Sequence, residues 1–214
     1  MKNLIKLFIF FLFISGCTKI GKTVTIKGRV LNPITGEGIA GAKIKLLRTT
    51  LGLPGGNKAI KTVVSDVNGD YELSKLTLRY LNLQWNAPEG QEYLGLGFKD
   101  SETGEAMGTH VKKFKIQHWD YHAVPMFQYK LSVNNVSCFN SNDSIIINQT
   151  NETGSFRGVD WPIVGCSGYQ TAIDLVPQGK IYTNYRVVKN GVSTSYYEEF
   201  IVQPNILNVQ TINY

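Results

Sequence analysis

Apolar and polar residues alternate along most of this chain, and no stretch repeats apolar residues at the 3.6-residue spacing of a helix. From Thr23 to Val30, the residues Val24, Ile26, Gly28 and Val30 fall on one side, and Thr23, Thr25, Lys27 and Arg29 on the other. A period of two puts successive side chains on opposite faces of a strand, with one face to a core and one to water. The pattern recurs at Ala42-Ile44-Leu46, Ile60 to Ser65, Tyr71 to Leu73, Leu81-Leu83-Trp85, Leu94-Leu96-Phe98, Phe114-Ile116 and Phe127-Tyr129-Leu131-Val133. Turn residues separate these runs at Asn32-Pro33, Thr35-Gly36, Pro54-Gly55-Gly56-Asn57 and Asn68-Gly69. Many short strands at this spacing predict an all-β fold of sandwich type.

A second group of strands follows at Ser144 to Asn148, Tyr169 to Leu175, Ile181 to Val188 and Ser193 to Val202. Lys189-Asn190-Gly191-Val192 joins the last two as a tight hairpin, because Asn-Gly accepts the positive φ angles of a two-residue turn. Tyr185, Val187, Phe200 and Val202 are expected in its core. The boundary between the two sandwiches is placed near Asn134-Asn135, giving domains at 23–133 and 134–214. No Pro/Gly/Ser linker stands there, so the domains should abut.

The chain opens with Lys2 and Lys6, an apolar run from Leu7 to Ile14, then Ser15-Gly16-Cys17. This order resembles a bacterial lipoprotein signal ending in a lipobox. The run is shorter than the about 20 residues needed to span a bilayer, so it reads as a signal peptide, residues 1–16. The resemblance implies cleavage before Cys17, acylation of its thiol (a palmitate-type anchor) and a short tether at 17–22 that holds the first domain within roughly 20 Å of the bilayer. The partner it implies is a membrane, and the compartment is the bacterial cell envelope. Thr18 lacks the aspartate associated with inner-membrane retention in enteric bacteria, and no acidic residue precedes Glu37. By the same resemblance the expected location is the periplasmic face of the outer membrane, with the cell surface as the alternative. Between Cys17 and Gln128 there are 15 Lys and Arg against 10 Asp and Glu. That excess suits anionic headgroups. It has no Arg-rich cluster and does not indicate nucleic acid.

Val24-Thr25-Ile26-Lys27-Gly28-Arg29-Val30, the stretch Thr35 to Ile44, and Ser65-Asp66-Val67-Asn68-Gly69-Asp70-Tyr71-Glu72-Leu73 together resemble the carboxypeptidase regulatory-like domain, a transthyretin-like β-sandwich. The match covers about residues 22–80. It implies an accessory module without catalytic residues. The second domain is immunoglobulin-like only in the general sense.

With Cys17 assigned to lipid, Cys138 and Cys166 remain, and an even pair in an oxidising compartment suggests a disulfide. It would close a loop of about 28 residues and stabilise the fold by about 3–4 kcal/mol on the chain-entropy estimate. His118-Trp119-Asp120-Tyr121-His122 is the densest polar cluster, and His118, Asp120 and His122 share a face if the segment is a strand. Two His and a carboxylate could hold a transition metal, with His110 as a remote fourth ligand. The competing reading is a strand end or turn whose polar groups serve the backbone. Trp161 and Tyr169 are the candidate aromatic platforms for a glycan. Asp143-Ser144-Ile145 resembles a short bacterial O-glycosylation site at Ser144. Asp66 to Asp70 fails as a calcium loop, since its glycine falls at position four and position twelve is Thr77. No sequence motif for a nucleophile, a zinc set or a phosphate loop occurs, and no cofactor is implied.

These readings converge on a non-enzymatic, lipid-anchored binding or scaffold module of the envelope, with an envelope protein or a glycan as partner. A surface glycan-binding lipoprotein is the alternative, and a metal site at His118/Asp120/His122 is third. Cys17→Ser is expected to release the protein from the membrane fraction or leave it unprocessed. Fractionation with palmitate labelling checks this, and unchanged labelling of the variant would refute it.

Overall fold

The computed structural model describes residues 22–50, 56–77, 80–112, 115–154 and 162–214. Cys17, Phe114 and Trp161 lie outside these residues. Among the described residues the chain forms fifteen strands and no helix. The organising element is β8, a single strand of 19 residues from Ile116 to Asn134. At about 3.3 Å per residue it reaches up to about 60 Å.

The odd-numbered side chains of β8 serve two cores in succession. Trp119 and Ala123, with Tyr121 beside them, pack into the first. Tyr129, Leu131 and Val133, with Phe127, pack into the second. The change of core therefore falls at 124–127 and not at Asn134-Asn135, where the sequence reading places it. The polar segment from His118 to His122 is also mid-strand and not a strand end or turn. Gln117, Trp119 and Tyr121 keep the inward alternation through it, and outward polar residues do not interrupt a strand whose other face is buried.

Pro125 sits where the partners of β8 change. A proline has no N–H to give a ladder, so it is tolerated where pairing passes from one neighbour to the next. β6 (Tyr93–Asp100) has its first residue opposite Pro125, and β12 (Asp174–Pro177) has its last residue opposite Met126. The Met126 N–H donates to the Glu92 carbonyl at 2.9 Å, and the Gln178 N–H donates to the Pro125 carbonyl at 2.8 Å. Successive residues direct their backbone groups to opposite edges of a strand. Hence β1 (Lys22–Leu31) is followed along one edge by β12 and β11 (Tyr169–Gln170), and β6 along the other by β15 (Asn208–Asn213). Asn32 Nδ2 reaches Gln178 Oε1 at 2.9 Å, and Gln91 Nε2 reaches the Met126 carbonyl at 2.8 Å, so side chains brace the junction on both edges.

The first sandwich packs β4 (Asp70–Thr77), β1, the first half of β8, β6 and β7 (Ala106–Met107) against β3 (Gly56–Val64), β2 (Lys43–Thr50) and β5 (Asn82–Asn86). Val24, Ile26 and Trp119 of one layer meet Ile44, Leu46 and Leu83 of the other. Each such side chain contributes roughly 1.5–3 kcal/mol by leaving water. Leu94, Leu96 and Phe98 do not share a face as the alternation suggests. A register shift between Gly95 and Gly97 turns Leu96 outward while Phe98 stays buried. Trp85 packs beside this core and stacks on Tyr121 at 4.5 Å.

The second sandwich packs β12, β11, the second half of β8 and β15 against β10 (Ile163–Val164), β9 (Ser144–Asn151), β13 (Gly179–Lys189) and β14 (Val192–Val202). Tyr185, Val187 and Val202 are buried in its core and Phe200 packs against it, as alternation indicates. Asn190 and Gly191 have φ of 48° and 74°, the two positive values of a type I′ hairpin turn.

This core also holds a polar network that alternation conceals. Gln149, Thr183, Gln210 and Tyr129 are all buried, from β9, β13, β15 and β8. Gln149 Nε2 stands 2.8 Å from Tyr129 OH, 3.0 Å from Thr183 Oγ1 and 2.9 Å from Gln210 Oε1, while Tyr129 OH donates to Gln210 Oε1 at 2.8 Å. Burial pushes the Tyr129 phenol up to about 12, so it stays a neutral donor. Because the bonds cross between sheets, they define which strand faces which. Gln149→Ala should cost about 1–3 kcal/mol by leaving its buried partners short of bonds, read as a lower denaturation midpoint. Gln149→Ala with Gln210→Leu and Tyr129→Phe should recover part of it.

Candidate functional site

The polar segment of β8 faces a local break in the pairing with β1. Thr25, Ile26 and Lys27 pair with Ile116, Gln117 and His118, and Val30 and Leu31 with Tyr121 and His122. Between these, Gly28 and Arg29 leave the ladder. A Cβ at Gly28 would collide with the Trp119 carbonyl, so only glycine lets the strands come this close. Side chains replace the missing ladder bonds. Asp120 Oδ1 accepts the Arg29 backbone N–H at 2.7 Å, and the Tyr71 hydroxyl donates to the Trp119 carbonyl at 2.6 Å. Burial, and then the Asp120 charge, push the Tyr71 phenol well above its ordinary value, which keeps this donor protonated.

Over this break lies an open groove of about 570 Å³ lined by Lys27, Arg29, Asp70, Glu72, His118 and Asp120 among others. Its charges are largely committed. Lys27 pairs with Glu72 at 3.0 Å and Arg29 with Asp70 at 3.5 Å, all four side chains being over 40% exposed. Exposed pairs of this kind contribute about 0–1 kcal/mol each. Arg29 also donates to the Asn68 carbonyl. Asp66 Oδ1 accepts the N–H groups of Asn68 and Asp70 at 2.9 and 2.8 Å, so the Asp66–Asp70 segment is a turn held by its own aspartate.

His118 and Asp120 thus line the groove, but His122 is not part of it. Among the described residues no three His, Cys, Asp or Glu side chains stand close enough to hold one metal ion. One strand face carries all three residues, but Asp120 is drawn to the β1 backbone and His122 lies outside the groove. His122 is half-buried, and its Nδ1 finds no partner among the described residues. Burial, then Lys99, hold its imidazole below the ordinary value, against a smaller opposing pull from Asp120. His110 is exposed and bridges Asn82.

At the other end of β8, Cys138 and Cys166 are disulfide-bonded with a Cα–Cα distance of 5.3 Å. The bridge pins the segment after β8 to the segment after β10. Buried Asp143 organises the loops beside it. Its Oδ2 accepts the Phe139 N–H at 2.8 Å and Asn135 Nδ2 at 3.2 Å, and its carbonyl accepts the Gly165 N–H at 2.8 Å. The Phe139 N–H, more than any other group, holds the Asp143 carboxyl below the usual range. Lys189 Nζ donates to the Ser137 carbonyl and lies over the Tyr214 ring. Ser144 begins β9, half-buried between Val164 and Val188. Tyr169 is no free platform. It pairs with Val133 and packs against the second core. The cysteine pair was legible in the sequence; the structural role of Asp143 was not, since its local sequence points only to an Asn-rich turn and a modification motif at Ser144, while its partners Asn135 and Gly165 are distant in the chain.

His122 gives a pH signature. A histidine held low in the fold stays neutral there longer than in the unfolded chain. Its contribution to stability is complete above the ordinary value of 6.5 and is lost as pH falls through its lowered value. A ring-proton NMR titration should place its midpoint below 6.5. His122→Gln should flatten the decline of stability over that window, and a midpoint at or above 6.5 would contradict the burial argument.

No protein-family model matches the chain, and no curated protein is similar to it. The resemblance of residues 22–80 to the carboxypeptidase regulatory-like domain therefore rests on those residues alone. Among solved structures the chain is similar to the Bacillus anthracis TIE protein, at 16% identity over 90% of this chain and 33% of that one, with a TM-score of 0.31. A DUF3823 family protein from Bacteroides uniformis gives 14% identity over 85% and 100%, with a TM-score of 0.34. A streptococcal ancillary pilin gives 12% over 92% and 63%, with a TM-score of 0.30. The chain thus spans about a third of the first and under two thirds of the third. Superpositions this loose carry no functional argument, and the all-β sandwich assignment rests on the strand pairing itself.

Proposed function

We propose that this chain is a lipid-anchored, non-enzymatic scaffold module of the bacterial envelope, a stiff spacer that holds its second domain away from a membrane. The observation that carries this is the direction of β1. It runs parallel to the first half of β8, with Thr25 opposite Ile116 and Leu31 opposite His122. The chain therefore enters at the end of the first sandwich farthest from the second. Five residues before Lys22 stands Cys17, the residue that the lipobox resemblance marks for acylation. The disulfide-pinned loops at Cys138 and Cys166 follow the opposite end of β8. An anchor at one end and a stapled tip at the other, separated by up to about 60 Å of continuous strand, suit a spacer that presents a surface to a partner.

The basic excess of the first half supports the same orientation, since that half would lie against anionic headgroups. The outer membrane, facing the periplasm, is our reading of which membrane. The glycan alternative rests on Trp161 alone, because the Tyr169 ring is engaged in packing.

The orientation is tested with the lipidated full chain in vesicles. Fluorophores on Lys115→Cys and Phe139→Cys mark the two ends of β8, and quenchers sit in the bilayer. We expect strong quenching at 115 and little at 139. Equal quenching, or the reverse order, would overturn the spacer reading.

A further inference from the structure

Exposed sheet edges present unpaired backbone groups, and proteins guard them with shortness, bulges, lysine or proline. Most edges here carry such a guard. β3 has Lys58 and Lys61 and a register shift in its pairing with β2. β4 carries Asp70, Glu72 and Lys75. β7, β10 and β11 have two residues each, β5 has five, β15 has six, and β12 ends in Pro177. β14 differs. It is 11 residues long, pairs with β13 without a register shift, and contains no Lys, Arg or Pro; its two charges, Glu198 and Glu199, are both bonded to groups of β13. Most of its side chains are exposed, including Val192, Tyr196, Tyr197 and Ile201.

The hairpin turn shows which backbone groups are free. A two-residue type I′ turn is closed by a hydrogen-bonded pair, here Lys189 and Val192, so the even-numbered residues of β14 bond to β13. Ser193, Ser195, Tyr197, Glu199 and Ile201 then direct their N–H and C=O groups outward, where no other described strand pairs with them.

From this we infer that β14 is a homodimer interface, pairing antiparallel with β14 of a second copy about a two-fold axis at Tyr197. Tyr197 is the midpoint of the strand, so this register overlaps all of it. Outward residues face outward residues, Ser193 opposite Ile201 and Ser195 opposite Glu199, giving about ten backbone hydrogen bonds. The charges agree with a like partner. Each glutamate meets a hydroxyl residue, Glu198 opposite Tyr196 and Glu199 opposite Ser195, and no carboxylate confronts its copy. A slip of two residues toward the C-terminus would set Glu198 against Glu198. Glu199 is already paired with Lys180 at 2.8 Å and hydrogen-bonded by Tyr197 OH at 2.9 Å. Glu198 accepts from Tyr185 OH at 2.7 Å, and Tyr196 stacks on Tyr185 at 5.1 Å. These contacts order the edge in advance, which lowers the entropy cost of pairing. The product is a closed, isologous dimer in which two four-stranded sheets become one.

The test uses the full chain in mild detergent. Sedimentation velocity should give a dimer. Tyr197→Pro removes an outward N–H that β13 does not use, and Tyr197→Lys sets like charges across the axis; both should give monomers with an unchanged far-UV spectrum. On oxidation, Tyr197→Cys alone should form a disulfide-linked dimer. Ser193→Cys alone should not, but mixed with Ile201→Cys it should form the heterodimer. A monomeric wild type, dimers that survive both Tyr197 variants, or self-linking of Ser193→Cys would overturn the proposal. So would a wild type that is monomeric alone yet binds an unrelated extended peptide along β14, which would make the edge a site for a foreign strand.

Discussion

Everything in this structure depends on the continuity of β8. Two sandwiches joined by a flexible linker would move independently, as domains with small interfaces do. Here the same backbone belongs to both, and the Asn32–Gln178 and Gln91–Met126 hydrogen bonds fasten the neighbours on either side of the junction. A strand paired along both edges resists bending because bending would break ladder bonds on one of them. The first sandwich therefore sets the direction of the second.

The two halves solve the problem of burial differently. The first core is apolar and rich in aromatic contacts, with Trp85 stacked on Tyr121 and Phe98 edge-on to the same ring. The second trades part of its apolar area for the Gln149–Thr183–Gln210–Tyr129 network. A satisfied buried network adds little net stability but penalises every mispaired register, because each misplacement strands several polar groups without water. Hydrophobic patterning alone tolerates slips by two residues; this network does not.

The groove over Gly28 and Asp120 illustrates how polar residues that suggest chemistry can be structural. Asp120, Tyr71 and Asp66 each spend an oxygen on the backbone, where strands or turns leave N–H and C=O groups unpaired. Buried or half-buried backbone groups without partners are costly, so a carboxylate placed to satisfy one has a purpose before any ligand arrives.

The alternation of Val24, Ile26 and Val30, the Asn190-Gly191 turn and the parity of Cys138 and Cys166 were enough to determine strands, a hairpin and a disulfide. These are local signals, set by side-chain period, φ preference and compartment. Three features were decided only by the tertiary structure. The fusion of two expected strands into β8 depends on partners 91 and 45 residues away, Thr25 opposite Ile116 and Asp174 opposite Tyr129, whereas locally a proline and a run of polar residues look like interruptions. The placing of Gln149 and Gln210 inside a core contradicts their polarity and holds only because they bond to each other and to Thr183 and Tyr129. The scattering of His118, Asp120 and His122 follows from what surrounds each: the groove for His118, the Arg29 amide for Asp120, and a half-buried place outside the groove for His122. A spacing can say that side chains share a face; only the packed neighbours decide where each one goes.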